Sequence, residues 1–338
     1  MTSTSPSPES VRRIVLARRP EGVPAEEDFR LETVPVTSPG PGEVLVRAVH
    51  LSLDPWVRGA MTGRNLGHPP IHPGDLVPGR AVARVVGTGE WVVAETGWQE
   101  YATVPAESLR PVAVPPGVPR TAVLGVLGTP GLTAYAAITR LIRPAVGDTV
   151  VVSSATGAVG GVAGQLARLA GARTVAIVGG PAKCELATDF FGYAAAVDRH
   201  DPGWAGALAE ACPDGVDGYL HMAGGEVLRG VADRLAPHAR VALAGLPDHA
   251  NEVGETVLPA GAVMRARASV HGLVVYDHFD LRPRFADRVG KLLTEGRLRF
   301  LEDEHHGLES TPAAFARLMS GLNTGKAVVH LDRDTSDN

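Results

Sequence analysis

A five-residue run, Thr149-Val150-Val151-Val152-Ser153, leads into a turn of small residues and then into a stretch of helical apolar spacing from Val159 to Ala170. No other feature of the chain limits its fold so tightly. An apolar run without polar alternation is a strand buried on both faces, and such strands belong to parallel sheets covered by helices. The order then repeats. Gly171 closes the first helix, and Thr174 to Val178 reads as the next strand. A helix near Ala182 to Phe191 follows, then a strand near Ala194 to Val197, a helix at Trp204 to Ala211 and a strand at Gly218 to His221. A helix at Val227 to Leu235 and a strand at Arg240 to Ala244 complete the series, and another helix, Thr133 to Arg143, precedes it. Alternation of this kind predicts an α/β domain with a doubly wound parallel sheet.

The flanks read differently. Arg12 to Arg18, Glu43 to Leu51, Gly79 to Val86 and Glu90 to Ala94 are short β-prone runs punctuated by Pro-Gly clusters, the pattern of a compact β-barrel. Phe285 to Glu295 and Thr311 to Ser320 read as helices and Ala327 to Leu331 as a last strand. At 338 residues, two domains are expected. The content of 44% apolar and 20% charged residues is that of a globular chain and excludes wholesale disorder. A net charge of -5 without a basic run argues against nucleic acid and anionic membranes as partners. The apolar runs are strand-sized, too short to span a membrane. Two cysteines, Cys184 and Cys212, cannot build a four-thiolate zinc site. His68 and His72 are four apart, but Pro69, Pro70 and Pro73 keep them off a shared helix face, so no metal is expected. The opening residues lack the basic start and apolar core of a signal peptide; they read as a flexible tail, and a cytoplasmic location is expected.

The turn after the first buried strand is Ala155-Thr-Gly157-Ala158-Val159-Gly160-Gly161. Gly157 allows the tight turn, Gly160 lets backbone approach a pyrophosphate, and the amides of the helix starting near Val159 face the negative charge. Ala155, Gly157, Ala158, Val159 and Gly160 are therefore candidate dinucleotide ligands. Coenzyme choice rests on the end of the second strand, where NAD sites carry an acid for the ribose 2′-hydroxyl. Here the residues are Val178-Gly179-Gly180-Pro181-Ala182-Lys183. With no carboxylate to repel a 2′-phosphate, and an ammonium in reach, Gly179 and Lys183 point to NADP.

Four further segments carry a resemblance: Leu51-Ser-Leu-Asp-Pro-Trp56-Val-Arg58-Gly59, Gly97-Trp98-Gln99-Glu100-Tyr101, Gly128-Thr-Pro-Gly131-Leu132-Thr133-Ala134-Tyr135 and Gly321-Leu-Asn323-Thr-Gly325-Lys326. Together with the glycine turn, they make the chain, from Val11 to Leu331, resemble the medium-chain dehydrogenase/reductase superfamily. Within it the chain is similar to the zinc-independent prostaglandin, leukotriene and curcumin reductases. The resemblance implies a Rossmann domain (126–297) inserted into a GroES-like β-barrel domain (11–125 and 298–338), after a tail of residues 1–10, with the active site in the cleft between the domains. It implies that Thr133 contacts the nicotinamide side, that Lys183 and Tyr193 flank the adenosine phosphate, and that Asn323 and Gly325 close over the cofactor. It also implies a homodimer. The activity implied is NADPH-dependent reduction of the C=C bond of α,β-unsaturated ketones or aldehydes by hydride transfer to the β-carbon.

Three places depart from the branch. An amide beside the cofactor is replaced by Met222, a tyrosine by Trp56, and a Ser, Tyr and Asn-rich loop by Pro247 to Asn251. Tyr276 and Trp56 are the candidates for the substrate side. His221 and His249 are candidate proton donors, and Arg58 either pairs with a substrate anion or pins a barrel loop by a salt bridge. Three alternatives stay open: a quinone oxidoreductase of the same fold, a biosynthetic enzyme catalysing a cyclisation or other non-redox step, which the altered groups motivate, and a non-catalytic NADPH-binding or sensor protein.

Overall fold

The computed structural model describes residues 8–64 and 67–331, so most of the expected tail lies outside the described residues. The chain divides into two compact units, Met1–Leu124 with Glu302–Asn338, and Gly125–Leu301. In chain order the first unit begins with strands β1 (Ser10–Leu16), β2 (Phe29–Pro35) and β3 (Glu43–Ser52) and helix α1 (Trp56–Thr62). Strands β4 (Ala81–Val85), β5 (Trp91–Ala94), β6 (Tyr101–Pro105) and β7 (Arg110–Pro111) follow. The second unit holds α2 (Thr129–Ala136), β8 (Thr149–Ser153), α3 (Gly160–Leu169), β9 (Arg173–Val178), α4 (Pro181–Glu185), β10 (Ala195–Asp198), α5 (Trp204–Ala211) and β11 (Val216–His221). It continues through α6 (Gly225–Ala232), β12 (Leu235–Leu243), α7 (Pro247–Ala250), α8 (Ala260–Ala266), β13 (Ser269–Gly272) and α9 (Arg282–Thr294). The chain then returns to the first unit with β14 (Glu302–His306), α10 (Thr311–Met319) and β15 (Lys326–His330).

The second unit is a six-stranded sheet in the order β10-β9-β8-β11-β12-β13, with every neighbouring pair parallel. All five residues of β8 are buried, as their apolar run requires. One core cluster joins Val151, Ile177, Tyr219 and Val241 on the sheet to Trp204, Leu208, Leu228 and Val231 on α5 and α6. Helix α2 starts four residues before its expected beginning. Pro130 occupies its first turn, where a missing amide hydrogen costs nothing. Gly131 is wedged against the Val126 carbonyl, closely enough that no β-carbon fits. The helix continues as a π-type turn, Ala137–Ile142, and ends at Arg143 in a left-handed conformation. It packs against α3 and against the 3-10 segment Val275–Leu281.

In the first unit the sheet order is β14-β15-β3-β4-β5-β7, with β6 also paired to β3. Strand β3 pairs with β6 through residues 43–47 and with β4 through 46–51, with a bulge between Ala48 and His50 that turns the strand from one partner toward the other. Four strands of this unit escaped the sequence reading: β2, which pairs antiparallel with β1, β6, which pairs antiparallel with β3, β7, which pairs antiparallel with β5, and β14 (Glu-Asp-Glu-His-His), which pairs parallel with β15. The core here gathers Trp98, Phe29 and Phe315, whose rings lie 5.3 to 6.1 Å apart, with Ile14, Leu51 and Val329.

Candidate functional site

In the parallel sheet the chain runs outward from β8 to β9 and β10, then returns to β11 and runs the other way. The crevice beyond the carboxyl ends of β8 and β11 is the topological switch point, where α/β sheets bind ligands. Two serine hydroxyls stitch its edges together. The Met222 amide donates to Ser153 Oγ at 2.8 Å, and Ser154 Oγ donates to the Met222 carbonyl at 2.8 Å. Ser154 itself adopts a left-handed φ of 51°. The Gly157 amide donates to the Ser154 carbonyl at 3.0 Å, which closes the turn.

Gly160 then opens α3. A β-carbon there would press on the Ser154 carbonyl oxygen and lie 2.7 Å from the Ala155 Cα. The turn is thus backbone packed on backbone, and the amides of Ala158, Val159 and Gly160 precede the first bond of the ladder, which the Gly161 amide donates to the Gly157 carbonyl at 2.9 Å. Such a cradle could hold a diphosphate.

The second edge of the cradle follows β9. Strands β9 and β10 pair with Val178 opposite Asp198, so the register sets Arg199 beside Gly179. A β-carbon on Gly179 would lie 2.9 Å from the His200 ring and 3.5 Å from the Arg199 guanidinium. Lys183 stands in the one-turn helix α4 that follows. The basic side is therefore larger than the sequence suggests: Arg199 and His200 join Lys183, brought in by strand pairing that local spacing does not reveal. One carboxylate is also close. Asp198 Oδ1 accepts the Gly180 amide at 2.7 Å and the His200 amide at 2.9 Å. These two bonds hold its carboxyl below the ordinary value, so it stays charged and shapes the glycine turn.

Tyr193 does not flank a phosphate as expected. It is 4% exposed, and its hydroxyl donates to the Gly160 carbonyl at 2.7 Å. Its ring packs against Gly164, where α3 leaves no room for a β-carbon. Burial raises the hydroxyl's pKa. Tyr193 supports the phosphate turn from below.

His221 is not placed as the proton donor that the sequence offers. It is fully buried, with Nδ1 2.7 Å from the Tyr219 hydroxyl. Burial, opposed by Asp248, pushes it down to about 4. In the first unit, burial, with His330 and Arg120 adding to it, likewise pushes His50 down to about 4. Unfolded, each ring takes up a proton near pH 6.5; folded, each resists until about pH 4. Their contribution is therefore complete above pH 6.5 and lost as the pH falls toward 4, about 3 kcal/mol for His221. Urea unfolding at pH 7 and pH 4.5 should show this loss, and His221→Asn should show a shallower one. Identical acid-side losses in the two proteins would contradict the assignment.

Arg58 holds backbone of its own unit. It is fully buried, and its guanidinium donates to the Gly22 carbonyl at 2.8 Å and the Pro20 carbonyl at 3.2 Å. It pins the loop through backbone carbonyls. Trp56, at the start of α1, stacks on His68 with ring centroids 4.1 Å apart. Thr133 on α2 donates its hydroxyl hydrogen to the Thr129 carbonyl at 2.9 Å, so toward a ligand its oxygen acts as an acceptor. Tyr276 is 38% exposed and meets Phe279 edge-on at 5.5 Å; its segment packs on α2, which brings the Thr133 and Tyr276 elements together. His249 is exposed on α7. Asn323 donates to the Gly325 carbonyl at 2.9 Å and fixes the turn ahead of β15, where Gly325 holds a φ of 78°. Among the described residues, no group of three or more His, Cys, Asp or Glu is placed to hold a metal ion.

Two family models match the chain. One, described as the N-terminal domain of oxidoreductase, covers residues 12–112. The other, described as zinc-binding dehydrogenase, covers residues 158–293. The chain is 37% identical to the NADPH-dependent curcumin reductase of Escherichia coli (strain K12), over 96% of this chain and 97% of that protein. It is 32% identical to the 2-alkenal reductase (NADP(+)-dependent) of Nicotiana tabacum, over 96% of this chain and 98% of that protein. Among solved structures, CurA of Vibrio vulnificus in complex with NADPH superposes with a TM-score of 0.89 at 35% identity, covering 96% of this chain and 100% of the other. A Rossmann unit carried within a β-sheet unit built from both sides of the chain, together with full-length similarity to these reductases, places the chain in the zinc-independent double-bond reductase branch of the medium-chain dehydrogenase/reductase superfamily.

Proposed function

We propose that this protein uses NADPH to reduce the C=C bond of α,β-unsaturated ketones or aldehydes. The observation that carries the cofactor assignment is the meeting of the Gly160 backbone cradle with the basic turn of Gly179, Lys183 and Arg199 on one parallel sheet. The substrate class is supported by full-length similarity to proteins named curcumin reductase and 2-alkenal reductase.

When bound, NADPH supplies the hydride that reaches the β-carbon. The chain's own part is positioning and charge. The α3 amides neutralise the diphosphate, and Lys183 and Arg199 select the 2′-phosphate. Met222, held at both ends of its peptide by serine hydroxyls, sets the edge of the crevice. Thr133 accepts from a donor on the nicotinamide side, and Asn323 and Gly325 are further cofactor residues of this reading. Tyr276 and Trp56 are the substrate-facing residues of this reading; a hydroxyl donor such as Tyr276 would stabilise charge developing on the carbonyl oxygen.

A homodimer belongs to the same proposal. Strand β13 ends the sheet, with Ser269, His271 and Gly272 exposed along an edge that another strand could extend. So does a cytoplasmic location, where NADPH is available; no helix among the described residues is long and apolar enough to cross a membrane.

The test is a steady-state assay of a simple enone, such as 4-phenyl-3-buten-2-one, beside benzoquinone. With NADPH deuterated at C4, the saturated ketone should carry deuterium at its β-carbon. Turnover of the quinone alone would replace this reading with a quinone reductase. A product formed without NADPH consumption would replace it with a non-redox enzyme.

A further inference from the structure

Two of the sequence segments that mark the family meet around one buried charge. Lys326, at the start of β15, is 3% exposed. Its ammonium donates to the Leu53 carbonyl and, at 3.0 Å, to Asp54 Oδ1. The second carboxylate oxygen, Asp54 Oδ2, accepts the Ser52 hydroxyl at 2.5 Å. The Leu53 amide donates to the Ala327 carbonyl at 3.1 Å, so backbone and side chain bind the same short segment to β15. Asp54 and Pro55 begin the turn that launches α1, with the Val57 amide on the Asp54 carbonyl at 3.2 Å and the Arg58 amide on the Pro55 carbonyl at 3.1 Å. On the other side of Lys326 lies Gly325, whose carbonyl holds the Asn323 amide. One ammonium thus joins the turn that positions Trp56 to the turn that carries Asn323.

Stability alone does not explain a lysine in this place. A buried ion pair is expensive to desolvate, and an apolar pair of similar volume often serves a fold as well or better. What the pair supplies is direction: one fixed ammonium at the start of β15 sets the Leu53 carbonyl and the Asp54 carboxylate together. Burial would raise the Asp54 carboxyl, but Lys326 and Ser52 outweigh it and hold it below its ordinary value, while burial pulls the Lys326 ammonium down against the opposing pull of Asp54.

We propose that Lys326, through Asp54, is a positioning residue that couples the Asn323–Gly325 turn to the Trp56 helix, so that one brace sets both. The inference rests on the reading above, in which those two turns face cofactor and substrate.

The test uses the full-length protein and the double variant Lys326→Met/Asp54→Asn, which removes the buried charge on both sides. Thermal unfolding, NADPH affinity by fluorescence titration, affinity for adenosine 2′,5′-bisphosphate, and kcat and KM for the enone are measured on each. The melting temperature should stay within a few degrees of wild type, and the bisphosphate, which needs only the Rossmann unit, should bind unchanged. NADPH affinity should fall about fivefold and kcat about tenfold or more. Wild-type kcat and NADPH affinity in a folded double variant would overturn the proposal. If the double variant does not fold, Ser52→Ala removes a single hydrogen bond to Asp54 and should lower kcat two- to fivefold, and an unchanged kcat there would also overturn it. A wild-type protein that binds no NADPH or turns over no enone would instead count against the functional reading, a different outcome from either of these.

Discussion

Gly160→Val should lower NADPH affinity by about 100-fold or more while leaving the protein folded. The added carbons meet the Ser154 carbonyl and the Ala155 Cα, which are backbone and cannot rotate away as a side chain tip would. The turn must open, and the first amides of α3 leave the diphosphate. Hydrogen bonds to a charged partner contribute about 1.5–3 kcal/mol each, so losing two removes at least two orders of magnitude in affinity. Fluorescence titration with NADPH measures the loss, and circular dichroism checks the fold. Gly206→Ala is the control, because a β-carbon on that exposed residue of α5 meets nothing within 4 Å. Undiminished affinity in a folded Gly160→Val protein would refute the cradle.

The second large effect concerns coenzyme choice. Lys183→Ala/Arg199→Ala should reduce NADPH affinity about 100-fold and leave NADH affinity within about twofold, because only the 2′-phosphate loses its partners. Lys183→Ala alone should erase much of the preference. Arg199 is exposed and Lys183 half-buried, so the wild-type preference should also shrink as salt is raised and the charges are screened. Equal affinity for NADPH and NADH in the wild type, or a double variant that keeps its preference, would remove the phosphate assignment.

The sequence carried the fold best where the determinants are local. Strand β8 and helix α5 fall on the residues that periodicity marks, since burial on both faces or on one face writes itself into neighbouring positions. The glycine turn is legible for the same reason: the close approach at Gly160 involves residues five and six positions away. Edge strands are different. Strand β14 has one pairing neighbour and alternates nothing apolar, so Glu302–His306 gives no strand pattern, and its pairing with β15 comes from the fold around it.

The site shows the same division. Lys183 was visible beside Gly179, but Arg199 reaches that turn only because β10 lies in register with β9. Tyr193 was placed at the phosphate by resemblance, while its surroundings, the bare flank of α3 at Gly164 and the Gly160 carbonyl, bury it. Arg58 and Lys326 look like surface cations in one dimension. Each is interior because carbonyls from a distant stretch of chain, Pro20 and Gly22 in one case and Leu53 in the other, converge on it.

The order of strands in the first unit has a consequence for how the protein is made. Strand β15 lies between β14 and β3 and covers His50, Leu51 and Ser52 on the β3 edge. As the polypeptide leaves the ribosome, the parallel sheet, encoded without interruption from Thr149 to Gly272, can assemble while that β3 edge still waits for its neighbour. A strand translated after the whole parallel sheet is thus an interior plank of the unit begun before that sheet, and removing it would strip a middle strand and leave an edge open to aggregation.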